Sequence, residues 1–184
     1  GKGAKAGLAG RLQLVTGDAF YGRSLVAQLD AIGFLAPRTT LIHATWLSAD
    51  DIARIAARGA SVQYNPFSNA VIGSGLAPVR ECLAAGINVA MGSDGAGITF
   101  GNHMLSVLGF GATISKIRGP DPRAWLTAEE VLRAATQGGA SALGLAVGRI
   151  EAGLAADLVG FRLDSTAFTP PNDPVRQLVY GEIE

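Results

Sequence analysis

The stretch that decides the fold is INVAMGSDG at residues 87–95, an apolar run that ends in small residues and the carboxylate of Asp94. Barrel enzymes carry their catalytic groups at the C-terminal ends of buried parallel strands. Two further apolar runs end in polar residues upstream, TLIH at residues 40–43 and SVQYNP at 61–66. The interval between His43 and Asp94 is close to the length of two strand–helix units of a (β/α)8 barrel, about 60 residues. The spacing therefore predicts that both side chains face one mouth of such a barrel.

Strands and helices alternate along the first half of the sequence, which is typical of parallel βα units joined by right-handed crossovers. Strands are predicted at residues 11–16, 39–43, 61–64 and 87–91, and helices at 22–32, between Ser48 and Gly59, and between Pro78 and Gly86. Ser48 and Asp51 form a capping box at the start of the second helix, and Gly59 is a natural residue to end it.

The alternation changes after Asp94. The later predictions are a helix at 103–117, a loop at 118–122, a helix from the capping box at Thr127 through Ala135, short strands at 148–161 and a turn or linker at 170–174. We therefore divide the chain into a barrel part, residues 1–147, and a second segment, residues 148–184.

Composition excludes several classes of protein. The chain is 48% hydrophobic and 16% charged, which is typical of a folded domain rather than a disordered segment. Lys plus Arg and Asp plus Glu number 15 each, so no net field attracts nucleic acid or an anionic membrane, and no apolar run has the length of a membrane helix. The single cysteine, Cys82, is predicted to be a core thiol and favours a reducing compartment, the cytoplasm.

Two residues at predicted strand ends could carry chemistry. His43 could be a metal ligand, a proton shuttle, a hydrogen-bond donor to substrate or a histidine satisfied within the core. Asp94 could bind a metal ion and accept a proton from water, or serve as a turn carboxylate in a sequence rich in turn formers. His103 lies at the start of a predicted helix, where a structural role is favoured.

The strand end at residues 64–69, YNPFSN, is predicted to run into a polar loop. The donors of Asn65, Ser68 and Asn69 could hold a polar heterocycle, or they could cap the following helix. The nearby IGSG at residues 72–75 matches no nucleotide-binding fingerprint, so phosphate binding by a βα protein is a weakly supported alternative.

Three segments, IHATWL, YNPFSNAVIGSGLAPV and VAMGSDGAG, occur in an order that resembles the second half of an amidohydrolase-superfamily enzyme. The closest resemblance is to the cytosine/guanine deaminase and chlorohydrolase-like branch, which includes adenosine-homocysteine deaminases and triazine hydrolases. ATQGGASALGL followed by GRIEAGLAADLVGF resembles the branch's last barrel helix and its return to a small β-sandwich. The resemblance implies an α/β chain that supplies strands five to eight of a (β/α)8 TIM barrel and part of a β-sandwich.

The resemblance also implies a chemistry. In this branch one divalent metal ion, zinc or iron, activates water to hydrolyse C–N bonds of aminated purines, pyrimidines or triazines. Asp94 matches the aspartate that ligates the metal and takes the proton of the water, and His43 matches the histidine beside metal, water and substrate. Trp46, Asn65, Ser68 and Asn69 fall where the small heterocyclic substrate would bind.

Departures from the family pattern are equally specific. The sequence has no His-x-His pair, Val15 stands where the fifth strand carries a metal-binding histidine, and Tyr64 replaces a histidine common before Asn-Pro. Asp18 could replace the glutamate acid/base of that strand. With two histidines, the chain falls short of the three protein ligands typical of catalytic zinc.

Both ends of the chain resemble cuts, because it starts at Gly1 without methionine and stops after the strand-like residues 177–180. A half-barrel would also leave open strand edges, so we expect pairing with a missing N-terminal half or with a second copy in a homo-oligomer. The competing hypothesis is a degenerate barrel fragment that acts as a non-catalytic binding or assembly module.

Overall fold

The structure is a computed structural model that describes residues 23–98 and 103–181. Three parallel strands form its sheet in the order β1 (Thr40–Ile42), β2 (Ser61–Tyr64) and β3 (Val89–Met91). The register pairs Leu41 with Val62 and Val62 with Val89. Parallel strands place their carboxyl ends at one edge of the sheet, which brings the polar strand ends together. The predicted strand at 11–16, with Val15, and the candidate Asp18 lie outside the described residues.

Eight α-helices are found in the described part of the chain. They are α1 (Leu25–Ala31), α2 (Ala49–Arg58), α3 (Pro66–Val71), α4 (Val79–Ala84), α5 (Met104–Ser115), α6 (Ala128–Arg133), α7 (Gly139–Leu143) and α8 (Pro174–Tyr180). A π-helical segment, Ala134–Gly138, joins α6 to α7, and 3-10 turns lie at Lys116–Arg118, Pro122–Ala124 and Thr166–Phe168. None of the helices seen in these ranges has the length and apolarity to cross a membrane.

Local sequence signals account for several helix ends. Ser48 and Asp51 form the predicted capping box of α2, and Gly59 ends that helix in the left-handed conformation with φ 66°. Thr127 and Glu130 form the second predicted capping box, at the start of α6. These predictions are confirmed.

The core lies between one face of the sheet and the helices. Tyr64, Val89 and Met91 are buried, and a Cβ placed on Gly111 of α5 would contact the Met91 methyl group and the Tyr64 ring. Cys82 is buried in the same core, where loss of solvation raises the pKa of its thiol to about 11. The prediction of a core thiol is confirmed.

Three predictions of local structure are wrong. Residues 148–161 form turns and extended backbone without a strand, and residues 177–180 belong to helix α8. Residues 66–71, predicted as a polar loop, form helix α3. A strand needs a hydrogen-bonding neighbour far away in sequence, and no described segment pairs with residues 148–161, so β-propensity alone does not produce one there.

Candidate active site

His43 and Asp94 follow β1 and β3, and the structure brings their side chains together. His43 Nε2 lies 3.7 Å from Asp94 Oδ2, although β2 separates the two strands in the sheet. The side chains are 38% and 24% exposed, so the pair is open to a small molecule from solvent. The sequence-based expectation that both groups face one space agrees with this geometry.

Both residues have unusual backbone conformations. The φ angles are 70° for His43 and 65° for Asp94, in the left-handed region that side chains with a Cβ rarely adopt. Such a conformation costs on the order of 1–3 kcal/mol and is concentrated at functional sites. The backbone of His43 is held by a hydrogen bond from its N–H to the Gln63 carbonyl oxygen, at 2.9 Å.

Helix α3 supports the pair from beneath. Asn69, which is fully buried, places its Oδ1 3.0 Å from His43 Nδ1. Ser68, which is 1% exposed, lies under Asp94. Pro66 at the first helical position orients this short helix directly after the strand end.

The surroundings of Asp94 favour its ionised form. The Ser68 hydroxyl makes the largest contribution to lowering the pKa of the carboxyl group. The Gly95 N–H, which donates to Oδ1 at 2.6 Å, and the charge of His43 also lower this pKa. Partial burial acts in the opposite direction and raises it. The Ser68 Oγ has no hydrogen-bond partner of standard geometry among the described residues. The Ser68 hydroxyl therefore acts on Asp94 as a nearby dipole and not through a formed hydrogen bond. The carboxyl group is therefore a carboxylate at neutral pH.

Asn65 ties the ends of two strands together. The amide orientation that satisfies its hydrogen bonds directs its nitrogen to the carbonyl oxygens of Tyr64 and Gly92, each at 3.3 Å. A Cβ on Gly92 would lie 2.6 Å from the end of the Asn65 amide and would also overlap the Gln63 amide. Gln63, which the sequence analysis did not single out, thus shapes the strand end that leads to Asp94.

Trp46 and His103 contact residues other than this pair. The Trp46 ring is 56% exposed and packs on Gly75, where an added Cβ would lie 3.0 Å from Cζ2. His103 occupies the N-cap position of α5 and contacts Ser106 Oγ at 3.4 Å, in keeping with the structural role predicted for it.

Two side chains among the described residues are placed so that they could contact one metal ion. A separation of 3.7 Å allows His43 Nε2 and Asp94 Oδ2 to contact one ion, since zinc bonds to nitrogen and oxygen are about 2.1 Å long. Within residues 23–98 and 103–181 no group of three or more His, Cys, Asp or Glu side chains is suited to holding a metal. The pair therefore fits part of a metal site rather than a complete one.

Comparisons with known proteins identify the family of the chain. The family described as "Amidohydrolase family" matches residues 16–183. The 5-methylthioadenosine/S-adenosylhomocysteine deaminase of Thermococcus kodakarensis is 38% identical over 161 residues, which are 88% of this chain and 38% of that protein. This chain thus spans less than half the length of that curated relative.

Solved structures show the same relationship. The atrazine chlorohydrolase TrzN of Arthrobacter aurescens TC1, complexed with zinc, is 33% identical with a TM-score of 0.86 over 91% of this chain and 37% of that one. An adenosine deaminase of Xanthomonas campestris with bound zinc is 35% identical with a TM-score of 0.86 over 92% of this chain and 39% of that one. The chain has the α/β fold of these metal-dependent hydrolases, and it belongs to the amidohydrolase family.

Proposed function

We propose that this chain carries one side of the active site of a metal-dependent hydrolase that removes an amino group from a nitrogen heterocycle. The observation that carries the proposal is the approach of His43 Nε2 to Asp94 Oδ2 at the ends of two parallel strands. One zinc or iron ion, held by these two atoms together with further ligands, would lower the pKa of a bound water to about 7. Zinc in two solved relatives supports this choice of metal.

The roles of the side chains follow from their charge and position. Asp94, ionised at neutral pH, accepts a proton from the attacking water. Oxygen adds to the ring carbon, the proton taken up by Asp94 passes to the amino group, and the carbon–nitrogen bond breaks to release ammonia, while the product keeps the second proton of the water. His43 lies beside the water, and Asp18 remains a candidate acid/base outside the described residues.

An aminated purine, pyrimidine or triazine is the proposed substrate class. Relatives named as deaminases of methylthioadenosine and deoxyadenosine, and a triazine hydrolase, support such a ring. The exposed face of Trp46 offers a stacking surface for it. Direct substrate contact by Asn65, Ser68 and Asn69 stays a prediction; their burial supports a role in holding the site.

The remainder of the architecture is proposed on similar grounds. Residues 1–147 would contribute strands five to eight of a TIM barrel, and residues 148–184 would contribute to a β-sandwich. Residues 155–162 support this: within the described chain they form no helix, strand or turn, and Leu158 and Val159 are exposed. Pairing with an N-terminal half or with a second copy would cover these exposed side chains. Separately, the free thiol of Cys82 accords with a cytoplasmic location.

The test uses the chain alone and the same chain fused behind the part of the Thermococcus kodakarensis deaminase that it does not cover. Metal content and ammonia release from adenosine, cytosine and an aminotriazine are measured on both. We expect the fusion to hold a divalent ion and release ammonia, and Asp94→Ala to abolish both. Asp157→Ala, an exposed carboxylate outside the site, is the matched control. A fusion that is folded but binds no metal, or is inactive on all three rings, would contradict the proposal.

The second candidate is a non-catalytic binding or assembly module. It is favoured by the finding that the described residues supply only two metal ligands. Ammonia release that depends on Asp94 would exclude it.

A further inference from the structure

We infer that Asn69 is a positioning residue that fixes the tautomer of His43, with the proton on Nδ1 and the lone pair of Nε2 directed at the gap beside Asp94. Asn69 Oδ1 lies 3.0 Å from His43 Nδ1. An amide oxygen can only accept a hydrogen bond, so Nδ1 must be the donor. In a neutral imidazole the other nitrogen, Nε2, is then an acceptor.

The backbone of Asn69 is anchored so that its side chain starts from a fixed point. Its N–H donates to the Asn65 carbonyl oxygen at 3.0 Å, and its own carbonyl oxygen accepts from the Ser74 N–H at 2.9 Å and from the Ser74 hydroxyl at 3.3 Å. Ser74 is itself buried. The side chain therefore needs no rearrangement to meet the imidazole.

The amide of Asn69 is poorly suited to a purely structural role. The residue is fully buried, and its Nδ2 has no partner among the described residues. A buried donor left unpaired is unfavourable, and an apolar side chain would fill the same space without that penalty. The only hydrogen bond found for the Asn69 side chain within the described residues is the one to His43.

The tautomer determines what can occupy the gap. Nε2 and Asp94 Oδ2 are 3.7 Å apart, and with Nδ1 protonated both present lone pairs. A species between them must donate hydrogen bonds to both or carry positive charge, which a water or a divalent cation satisfies. The opposite tautomer would direct an N–H at Asp94 and close the gap. This use of the gap rests on the proposed function, whereas the tautomer itself does not.

The experiment reads the tautomer directly. The untagged chain, with histidine labelled by nitrogen-15, is studied in chelator by long-range proton–nitrogen correlation at about pH 8.5, above the ordinary histidine pKa of about 6.5. The chain has two histidines, so His103 is an internal reference. We expect His43 to show a protonated Nδ1 and an unprotonated Nε2.

Variants separate positioning from folding. In Asn69→Leu, which keeps the volume but removes the acceptor, the His43 signals should shift to the Nε2-protonated form that an unconstrained imidazole prefers, with His103 unchanged. Asn69→Asp keeps an acceptor, so His43 should keep the tautomer that it has in the original chain. A protonated Nε2 in the unsubstituted chain would overturn the inference, whether or not a variant folds. A folded Asn69→Leu chain in which the His43 tautomer is unchanged would also overturn it. The expected tautomer, together with a folded fusion that is inactive on all three rings, would refute only the proposed function.

Discussion

Gly138, the last residue of the π-helical segment, lies against the backbone of Val89 in β3, and a Cβ on Gly138 would overlap the Val89 carbonyl oxygen. The contact is reinforced by a hydrogen bond from Asn88 Nδ2 to the Gly138 carbonyl oxygen at 3.1 Å. The two segments can approach this closely only because residue 138 has no side chain. The contact fixes the helix beside the strand that leads to Asp94.

Gly138→Ala should therefore destabilise the chain. The obstructing atoms belong to the backbone of Val89 and cannot rotate away, so we expect a loss of about 1–3 kcal/mol in the free energy of unfolding. The matched control is Gly139→Ala, where an added Cβ has no neighbour within 4 Å. That change should instead stabilise the helix by about 0.5–1 kcal/mol. Urea denaturation measures both, and equal midpoints for the two variants would disprove the close contact.

Features that depend on a few neighbouring residues could be predicted from the sequence. The capping boxes at Ser48 and Thr127 need only four consecutive residues, and both formed as predicted. The β-propensity of residues 177–180 predicts a strand, but Asp173 and Pro174 begin helix α8 there. The Asp173 side chain accepts from the Arg176 N–H at 2.9 Å, a helix start that an Asp-Pro pair could have indicated.

The candidate site was predictable only in part. The proximity of His43 and Asp94 follows from parallel strand ends and could be predicted. The support that Ser68 and Asn69 give them could not, because the sequence YNPFSN at residues 64–69 predicts a strand end that runs into a polar loop and not a helix. In helix α3 both residues are buried, and Asn69 meets His43.

The salt bridge between Arg80 and Glu130 should make stability depend on acid pH. Both guanidinium nitrogens Nη1 and Nη2 donate to Glu130 at 2.6 Å. Burial alone would raise the pKa of the Glu130 carboxyl group, but the bonds from Arg80 and from the Thr127 N–H lower it overall. A lowered pKa contributes stability that is present above the unfolded value of about 4.3 and is lost as the pH falls through the folded value.

Glu130→Gln tests this pair. The amide keeps an acceptor for the Thr127 N–H but loses the charge, so we expect a loss of about 1–2 kcal/mol at neutral pH and a weaker decline in acid. Glu129→Gln, at an exposed position next to it, should change neither. Urea unfolding between neutral and acid pH gives the measurement. An unchanged acid slope in Glu130→Gln would show that the salt bridge contributes nothing.

Tyr64 should make stability depend on alkaline pH. Burial raises the pKa of its phenol to about 12, with a small opposing effect of Arg118. Because the folded chain holds the Tyr64 proton more tightly than the unfolded one, the contribution of Tyr64 to stability is constant below about pH 10 and falls as the pH rises toward 12. The loss over that interval is about 2–3 kcal/mol at 1.36 kcal/mol per pKa unit. Tyr64→Phe should remove this part of the alkaline decline and leave the part due to Cys82, whereas Tyr180→Phe, at a 43% exposed position, should remove neither. Unfolding followed by circular dichroism measures the difference, and an equal decline in both variants would count against the burial of the phenol.

Asp51 connects the starts of two helices. Its Oδ2 accepts from the Ser48 N–H at 2.9 Å and from the Ser48 hydroxyl at 2.8 Å, and its Oδ1 accepts from the Ser24 hydroxyl at the start of α1. Ser24 in turn accepts from the Ala27 N–H at 3.0 Å, so one buried carboxylate orients both N-caps.

Asp51→Ala should therefore cost more than the loss of a single cap. We expect about 2–4 kcal/mol, since a cap contributes about 1 kcal/mol and the two hydroxyl groups lose a charged acceptor in a buried place. Asp50→Ala removes only an exposed i,i+4 pair with Arg54 and should cost about 0.3–0.5 kcal/mol. A double-mutant cycle with Ser24→Ala isolates the link between the helices. If the effects of Ser24→Ala and Asp51→Ala on the free energy of unfolding simply add, the Asp51 carboxylate caps α2 alone. The packing of α1 against α2 must then depend on the contacts of Asp30 with Arg54 and Arg58.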